Sequence, residues 1–256
     1  MSDLALLGSQ VTYGLRGFTR NARAMVFTVV MPVVLLVLFN SIFSGTTDFK
    51  GSPVPVSNYF TPGIIAYAIM LSGYSSLLVS VVTARERGII KRFRGTPMPA
   101  WLYLAAIVVQ TVVVIAATVA VLVAIGVVFY HLRVTGSTVV GLVVYTVVGT
   151  ATMCAIGLAL TRVATTADSA SAIGPFSTVT LAFVSGVFIP VATMPLWLVD
   201  VGKVFPLAHL ATGLQTAFID SGSTGLDGKD IGVLVVWMVV AAAVALRTFR
   251  WEPQGR

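Results

Sequence analysis

The chain has 256 residues, 57% of them hydrophobic and 10% charged, with 16 Lys and Arg against 9 Asp and Glu for a formal net charge of +7; its mean hydropathy is +0.97. Charged residues make up about a quarter of a soluble globular domain, so that class is excluded, and a membrane β-barrel would alternate in segments of about ten residues instead. The basic excess reads as a membrane-orientation signal and not as nucleic-acid binding, because the charges sit in short islands between long apolar windows.

Those windows, free of Asp, Glu, Lys and Arg, run over 24–47, 51–84, 95–132, 134–161, 169–199, 204–219 and 231–246. A spanning helix needs about 20 apolar residues, and a charge at mid-bilayer costs about 2.5–3.5 kcal/mol on insertion scales. The expected class is therefore all-α and polytopic.

Residues 1–23 read as an amphipathic interfacial helix. Leu4, Leu7, Val11, Leu15 and Phe18 form one stripe, with Ser9, Thr12, Arg16, Arg20 and Arg23 opposite. Such a helix lays its apolar stripe in lipid and its arginines among phosphates; the plainer alternative is a positive flank of the first span. The first apolar run starts after residue 23, exceeds a signal-peptide core and has no A-x-A site, so no cleavable signal is expected.

Six transmembrane helices are predicted, over 24–44, 59–84, 99–129, 137–161, 169–189 and 230–248. Turn-rich connections at 44–55 and 131–137 separate the first and third pairs. The lone cysteine, Cys154, lies in an apolar run and is read as a small packing residue.

Between the second and third spans lies RERGIIKRFRGTPMP, residues 85–99, which carries five of the sixteen basic residues within ten positions. Projected as one helix over 85–97, Glu86, Ile89, Ile90 and Phe93 share an arc, while Arg87, Lys91 and Arg94 flank it. Pro97 disfavours helical geometry at Thr96 and ends it. A loop that only obeyed the positive-inside rule would not require an Ile-Ile-x-x-Phe ridge, so the element reads as a docking helix.

The stretch 186–229 is apolar yet broken by Pro190, Pro195 and Pro206, and it contains Asp200 and Lys203. That proline spacing opposes a continuous span. Residues 190–220 are predicted as a re-entrant pair of short helices in the outer leaflet, tolerable where protein or a water-filled cavity surrounds the backbone. With six spans and both termini cytoplasmic, twelve basic residues fall inside and four outside (Lys50, Arg133, Lys203 and Lys229), as the positive-inside rule favours.

These two segments are where the chain resembles a known family, the permease subunits of ABC-2 type (type V) ABC exporters, which include drug-resistance and polysaccharide or lipid export systems. The island is similar to the family pattern E-x-G-x-x-x-x-x-R-x-T-P, here Glu86, Gly88, Arg94, Thr96 and Pro97. The later segment is similar in Gly186, Pro190, Pro195, Trp197, Leu198, Pro206 and Leu207, and departs from it at Phe205, where many members have Asn. The resemblance covers nearly the whole chain.

The resemblance implies two permease subunits, identical or paralogous, and two separate nucleotide-binding ATPase subunits. The loop after the second span becomes the coupling helix (Glu86, Gly88, Ile89, Ile90, Lys91, Phe93, Arg94, Pro97), and the interfacial helix (Leu7, Val11, Leu15, Arg16, Phe18, Arg20) also contacts the ATPase. The broken segment (Gly186, Pro190, Pro195, Trp197, Pro206) flanks the exit. ATP and Mg would reside on the partner, because Gly228-Lys229 lacks the glycine five positions earlier and is followed by Asp230 where a phosphate-binding loop has Ser or Thr.

Other chemistries lack parts. The two histidines, His131 and His209, both read as ordinary outer-side interfacial residues, and no paired-Cys or HExxH metal spacing occurs. All nine acids, Asp230 included, read as loop or span-end residues. That disfavours an ion-coupled secondary transporter, which places ionisable groups inside its bundle. Asn40, Ser72, Ser75, Ser76, Gln110, Thr118, Thr146, Thr150 and Thr152 read as packing or pathway residues. The aromatics Phe39, Phe43, Tyr67, Tyr74, Phe176 and Phe183 favour hydrophobic or amphipathic cargo. The expectation is a multi-pass cytoplasmic-membrane permease, not catalytic alone, that exports a drug or antibiotic, with lipid, glycolipid or polysaccharide as the alternative cargo.

Overall fold

The computed structural model describes residues 3–43, 45–89, 100–220 and 222–248. Its elements are α1 (Asp3–Arg20), α2 (Ala22–Met25), a π-helical turn (Val26–Val30), α3 (Met31–Ile42), β1 (Thr46–Phe49), β2 (Ser52–Pro55), α4 (Val56–Met70), a second π-helical turn (Leu71–Ser76), α5 (Leu77–Glu86), α6 (Ala100–Tyr130), α7 (Gly136–Leu160), α8 (Ala167–Val184), α9 (Leu196–Gly202), α10 (Pro206–Ile219) and α11 (Gly228–Thr248).

Among the described residues, four helices are long and apolar enough to cross a membrane: Val56–Glu86, Leu102–Tyr130, Gly136–Leu160 and Gly228–Arg247. The predicted first span, 24–44, contains a shorter apolar helix, Val26–Ile42. The predicted fifth, 169–189, stops at Val184, where Gly186 adopts φ +75°. Pro175 lies inside that helix and supplies no backbone N–H. The helical expectation holds for the body of the chain, and the 44–55 connection adds an antiparallel hairpin pairing Thr46 with Pro55 and Phe49 with Ser52, turning through Lys50 and Gly51 at positive φ.

The core is built round the continuous helix Val56–Glu86. From Tyr59 to Ser75 every residue of it is buried, which needs apolar neighbours on all sides. The aromatic rings of Phe39, Phe60, Tyr67 and Phe188 pack there at centroid separations of 5.0–5.3 Å. α7 and α10 approach closely because each offers a glycine to the other's bulky side chain. A Cβ on Gly149 would meet Leu210 Cδ1 at 2.7 Å, and one on Gly213 would enter the Tyr145 ring. Small residues at helix crossings are how membrane helices gain packing energy without a water-driven term.

Helix ends follow local signals. Thr166 caps α8 in a reciprocal box with Ser169. Thr135 caps α7 by accepting from the Thr138 N–H. Pro206 opens α10 at the first helical position, where its missing N–H costs nothing.

Candidate functional site

At the Glu86 end of the long helix, two adjacent side chains hold two other helix ends. Arg85, although charged, is 5% exposed. It donates from Nη1 to the Thr161 carbonyl at 2.8 Å and from Nη2 to the Ala164 carbonyl at 2.7 Å, just beyond α7. Glu86 accepts from the Ala167 N–H at 2.6 Å at the start of α8. A cation thus meets the negative C-terminal end of one helix and a carboxylate the positive N-terminal end of the next.

This arrangement corrects the single helical arc drawn through Glu86, Ile89, Ile90 and Phe93. Arg85 and Glu86 finish α5, so they belong to the long helix and not to a docking helix starting at 85. Gly88, at φ +67°, interrupts the helix before Ile89. Glycine is favoured there because a Cβ resists the left-handed region. Ile89 is exposed. Ile90, Lys91, Phe93, Arg94 and Pro97 lie outside the described residues.

On α1, Leu7, Val11, Leu15 and Phe18 are half-buried, and Arg16 and Arg20 are exposed. Leu4, at the start of the same stripe, is exposed.

The segment after α8 is fastened to the long helix through Tyr59. Its hydroxyl donates to the Gly186 carbonyl at 2.9 Å and accepts from the Val191 N–H at 3.2 Å. Gln215 Nε2 of α10 donates to the Tyr59 carbonyl at 3.3 Å. Pro190 is half-buried, Pro195 and Trp197 are exposed, and Pro206 is buried. The structure therefore brings Gly186 and Pro190 to the long helix and leaves the Pro195–Trp197 edge free. Residues 190–220 hold a 3-10 turn (Val191–Thr193) followed by two helices, α9 and the longer α10.

His209 of α10 and Asp230, which lies in the first turn of α11, form a pair that the sequence reading did not anticipate. The His209 Nδ1 and Asp230 Oδ1 lie 2.6 Å apart, and His209 Nε2 is 2.8 Å from the Lys203 carbonyl. Both residues are buried. A carbonyl only accepts, so Nε2 carries a proton, and a second proton on Nδ1 would be met by the Asp230 carboxylate. The Asp230 hydrogen bond, outweighing desolvation, holds the His209 ring above its ordinary value.

The burial of Asp230 follows from where α11 begins. The Tyr145 hydroxyl donates to the Gly225 carbonyl at 2.8 Å and accepts from the Asp227 N–H at 3.3 Å. Tyr145 is nine residues into α7, about 13 Å along that helix, so the loop before α11 dips beside α7. A lone histidine in the apolar run Leu207–Leu214 was the one sequence signal of this pair. The indole Nε1–H of Trp237 adds a bond to the Val204 carbonyl at 3.0 Å.

Of the predicted pathway aromatics, Phe39, Phe43, Tyr67 and Phe183 join the central ring cluster, Tyr74 is buried in the core, Phe176 is exposed, and Phe60 and Phe188 complete the cluster. Among the described residues no three His, Cys, Asp or Glu side chains are grouped to hold a metal ion.

A family model described as ABC-2 type transporter matches residues 8–219. A curated relative, the daunorubicin resistance ABC transporter permease protein DrrB1 of Streptomyces coeruleorubidus, is 27% identical over 229 residues, covering 87% of this chain and 78% of the relative.

Proposed function

The chain belongs to the ABC-2 type transporter family, and from that premise we propose that it is the permease subunit of an ATP-driven exporter in the cytoplasmic membrane, with both termini inside and six passes. Two permeases and two ABC ATPase subunits make the complex, ATP and Mg reside on the ATPases, and the cargo is a hydrophobic or amphipathic compound. The drug-resistance name of the relative supports a drug or antibiotic over a lipid or glycan.

The observation that carries the reading is the double fastening by Arg85 and Glu86. A push on residues 87–97 reaches a helix whose last turn grips the ends of α7 and α8. ATPase closure would therefore move the long helix and α8 together and work against the segment fastened to Tyr59. Apolar Ile89, Ile90 and Phe93 supply the rigid docking ridge, and the arginines frame it.

The test is the purified complex with its ATPase. Phe93→Ala and Glu86→Ala are expected to abolish cargo-stimulated ATP hydrolysis and export while the chain still inserts; full activity in both would sink the coupling assignment. The buried His209–Asp230 pair favours one second reading, an ion-coupled transporter, since such a pair is the kind of group that proton coupling uses. Export from inverted vesicles separates the two: ATP-dependence that survives a protonophore supports the ABC reading.

A further inference from the structure

A cavity of about 490 Å³ lies between α1, the two π-helical turns, α5 and α6. Its size falls in the roughly 300–1,000 Å³ range of small-molecule sites. Three features distinguish it from a gap between helices.

The first is an unpartnered hydroxyl. Ser72 lines the cavity and is 2% exposed, yet its Oγ has no hydrogen-bond partner. A buried polar atom without a partner costs about 1–3 kcal/mol, so a ligand that bonds to it gains what the protein forgoes.

The second is a space kept open for an amide. Gly14 of α1 faces Gln110 of α6, and a Cβ there would collide with Gln110 Oε1. The amide offers both a donor and an acceptor at the cavity wall.

The third is the wall itself. The two π-turns meet where Thr28 Oγ1 and Ser76 Oγ lie 3.2 Å apart, and single π-turns inside α-helices concentrate at functional sites. The described lining contains Tyr13 and Tyr103 and no Asp, Glu, Lys or Arg.

We propose that this cavity receives the exported compound, and that the compound is an uncharged or singly cationic amphipath with an apolar body and hydroxyl or carbonyl groups that reach Ser72 and Gln110. The proposal rests on the export reading above. None of the described lining residues would give a phosphate-bearing headgroup a counter-charge, and burying an unpaired charge is penalised heavily. A single amine is compatible, because tyrosine faces attract cations. A lipid tail would fill the space without using Ser72 or Gln110. The site also lies on the moving part: Ser76 is nine residues before Arg85, about 13 Å along the same helix.

The test is equilibrium binding of tritiated daunorubicin, a flat hydroxylated amphipath with one amine, to the purified full chain in lipid nanodiscs. Saturable binding is expected. Gln110→Leu and Gly14→Leu should each weaken it by about tenfold or more, and Ser72→Ala by about threefold. Val147→Leu, on an exposed face of α7, should leave it unchanged. Ser72→Ala guards against misfolding, because removing an unpartnered hydroxyl leaves thermal stability equal or higher while binding falls. Absence of saturable binding, or affinity indifferent to all three cavity variants, overturns the proposal. Export by the complex is scored separately: variant-sensitive binding without ATP-driven export upholds the site and overturns the transport reading, and export with indifferent binding does the reverse.

Discussion

The long helix is held at its two ends by different chemistry. At the Glu86 end, two charged side chains bond directly to backbone groups at the ends of α7 and α8. At the Tyr59 end, phenol, amide and backbone groups bond among one another, while the buried His209–Asp230 pair joins the same α10 to α11. The first arrangement makes the helix and its neighbours one body. The second lets α10 act as a unit fastened to several helices by single bonds, each separable without unwinding anything.

The comparison is broken most forcefully at Asp230. Asp230→Ala leaves the buried His209 Nδ1 without its partner, and breaking one partner of a buried pair costs about 3–5 kcal/mol; thermal unfolding of the purified chain should show a loss of that size. If it shows none, the pair does not hold α10. Next comes Arg85→Ala, expected to cost about 2–3 kcal/mol because hydrogen bonds to charged groups are lost and buried carbonyls are left open. Arg85→Lys should recover only part, since an ammonium lacks the fork that reaches two carbonyls at once.

Tyr59→Phe follows, at about 1 kcal/mol for a neutral hydrogen bond. It should appear as faster hydrogen exchange in 186–193 with the Glu86 end unaffected. A pH series sharpens the same contrast. The His209 ring sits above its ordinary value in the folded chain, so its contribution is complete below about 6.5 and is lost as pH rises through the raised value. Asp230→Asn should flatten that dependence. The smallest effect on stability is Glu86→Gln, a few tenths of a kcal/mol at an exposed helix terminus, although coupled ATP hydrolysis should still fall.

Much of this was legible before the structure. The charge-free window 51–84 marked the long helix to within five residues at its start and two at its end, because membrane burial forbids charge wherever a helix is enclosed. Gly88 and Gly186 were picked out by motif, and both occupy left-handed turns. What stayed hidden depends on neighbours far away in sequence. Asp230 reads as the flank of a span until the loop before it is seen to dip beside Tyr145. Arg85 reads as one more cation in a basic island until Thr161 and Ala164 present their carbonyls. The strand pairing of 46–55 was lost because a Pro- and Gly-rich stretch reads as turn, whereas its register puts Pro53 and Pro55 on an edge that needs few donors. The aromatic cluster was legible except for Phe60 and Phe188, since Phe188 reaches Phe39 and Tyr67 only after the chain has turned back at Gly186.

The second π-turn also sets how this chain tolerates the loss of a single codon. A π-turn accommodates an extra residue relative to the regular helical repeat, and Leu71–Ser76 sits between Tyr59 and Arg85 on one uninterrupted rod. Deleting any one residue there would restore ordinary α geometry locally and leave the helix apolar and long enough to insert. Tyr59 and Arg85 would then still face their partners, whereas the same deletion in the regular α-helix on either side would turn the two halves against each other by about 100°. An in-frame deletion that a hydropathy profile would pass as silent is thus expected to be tolerated within the π-turn and to be as damaging as losing either anchor a turn or two away from it.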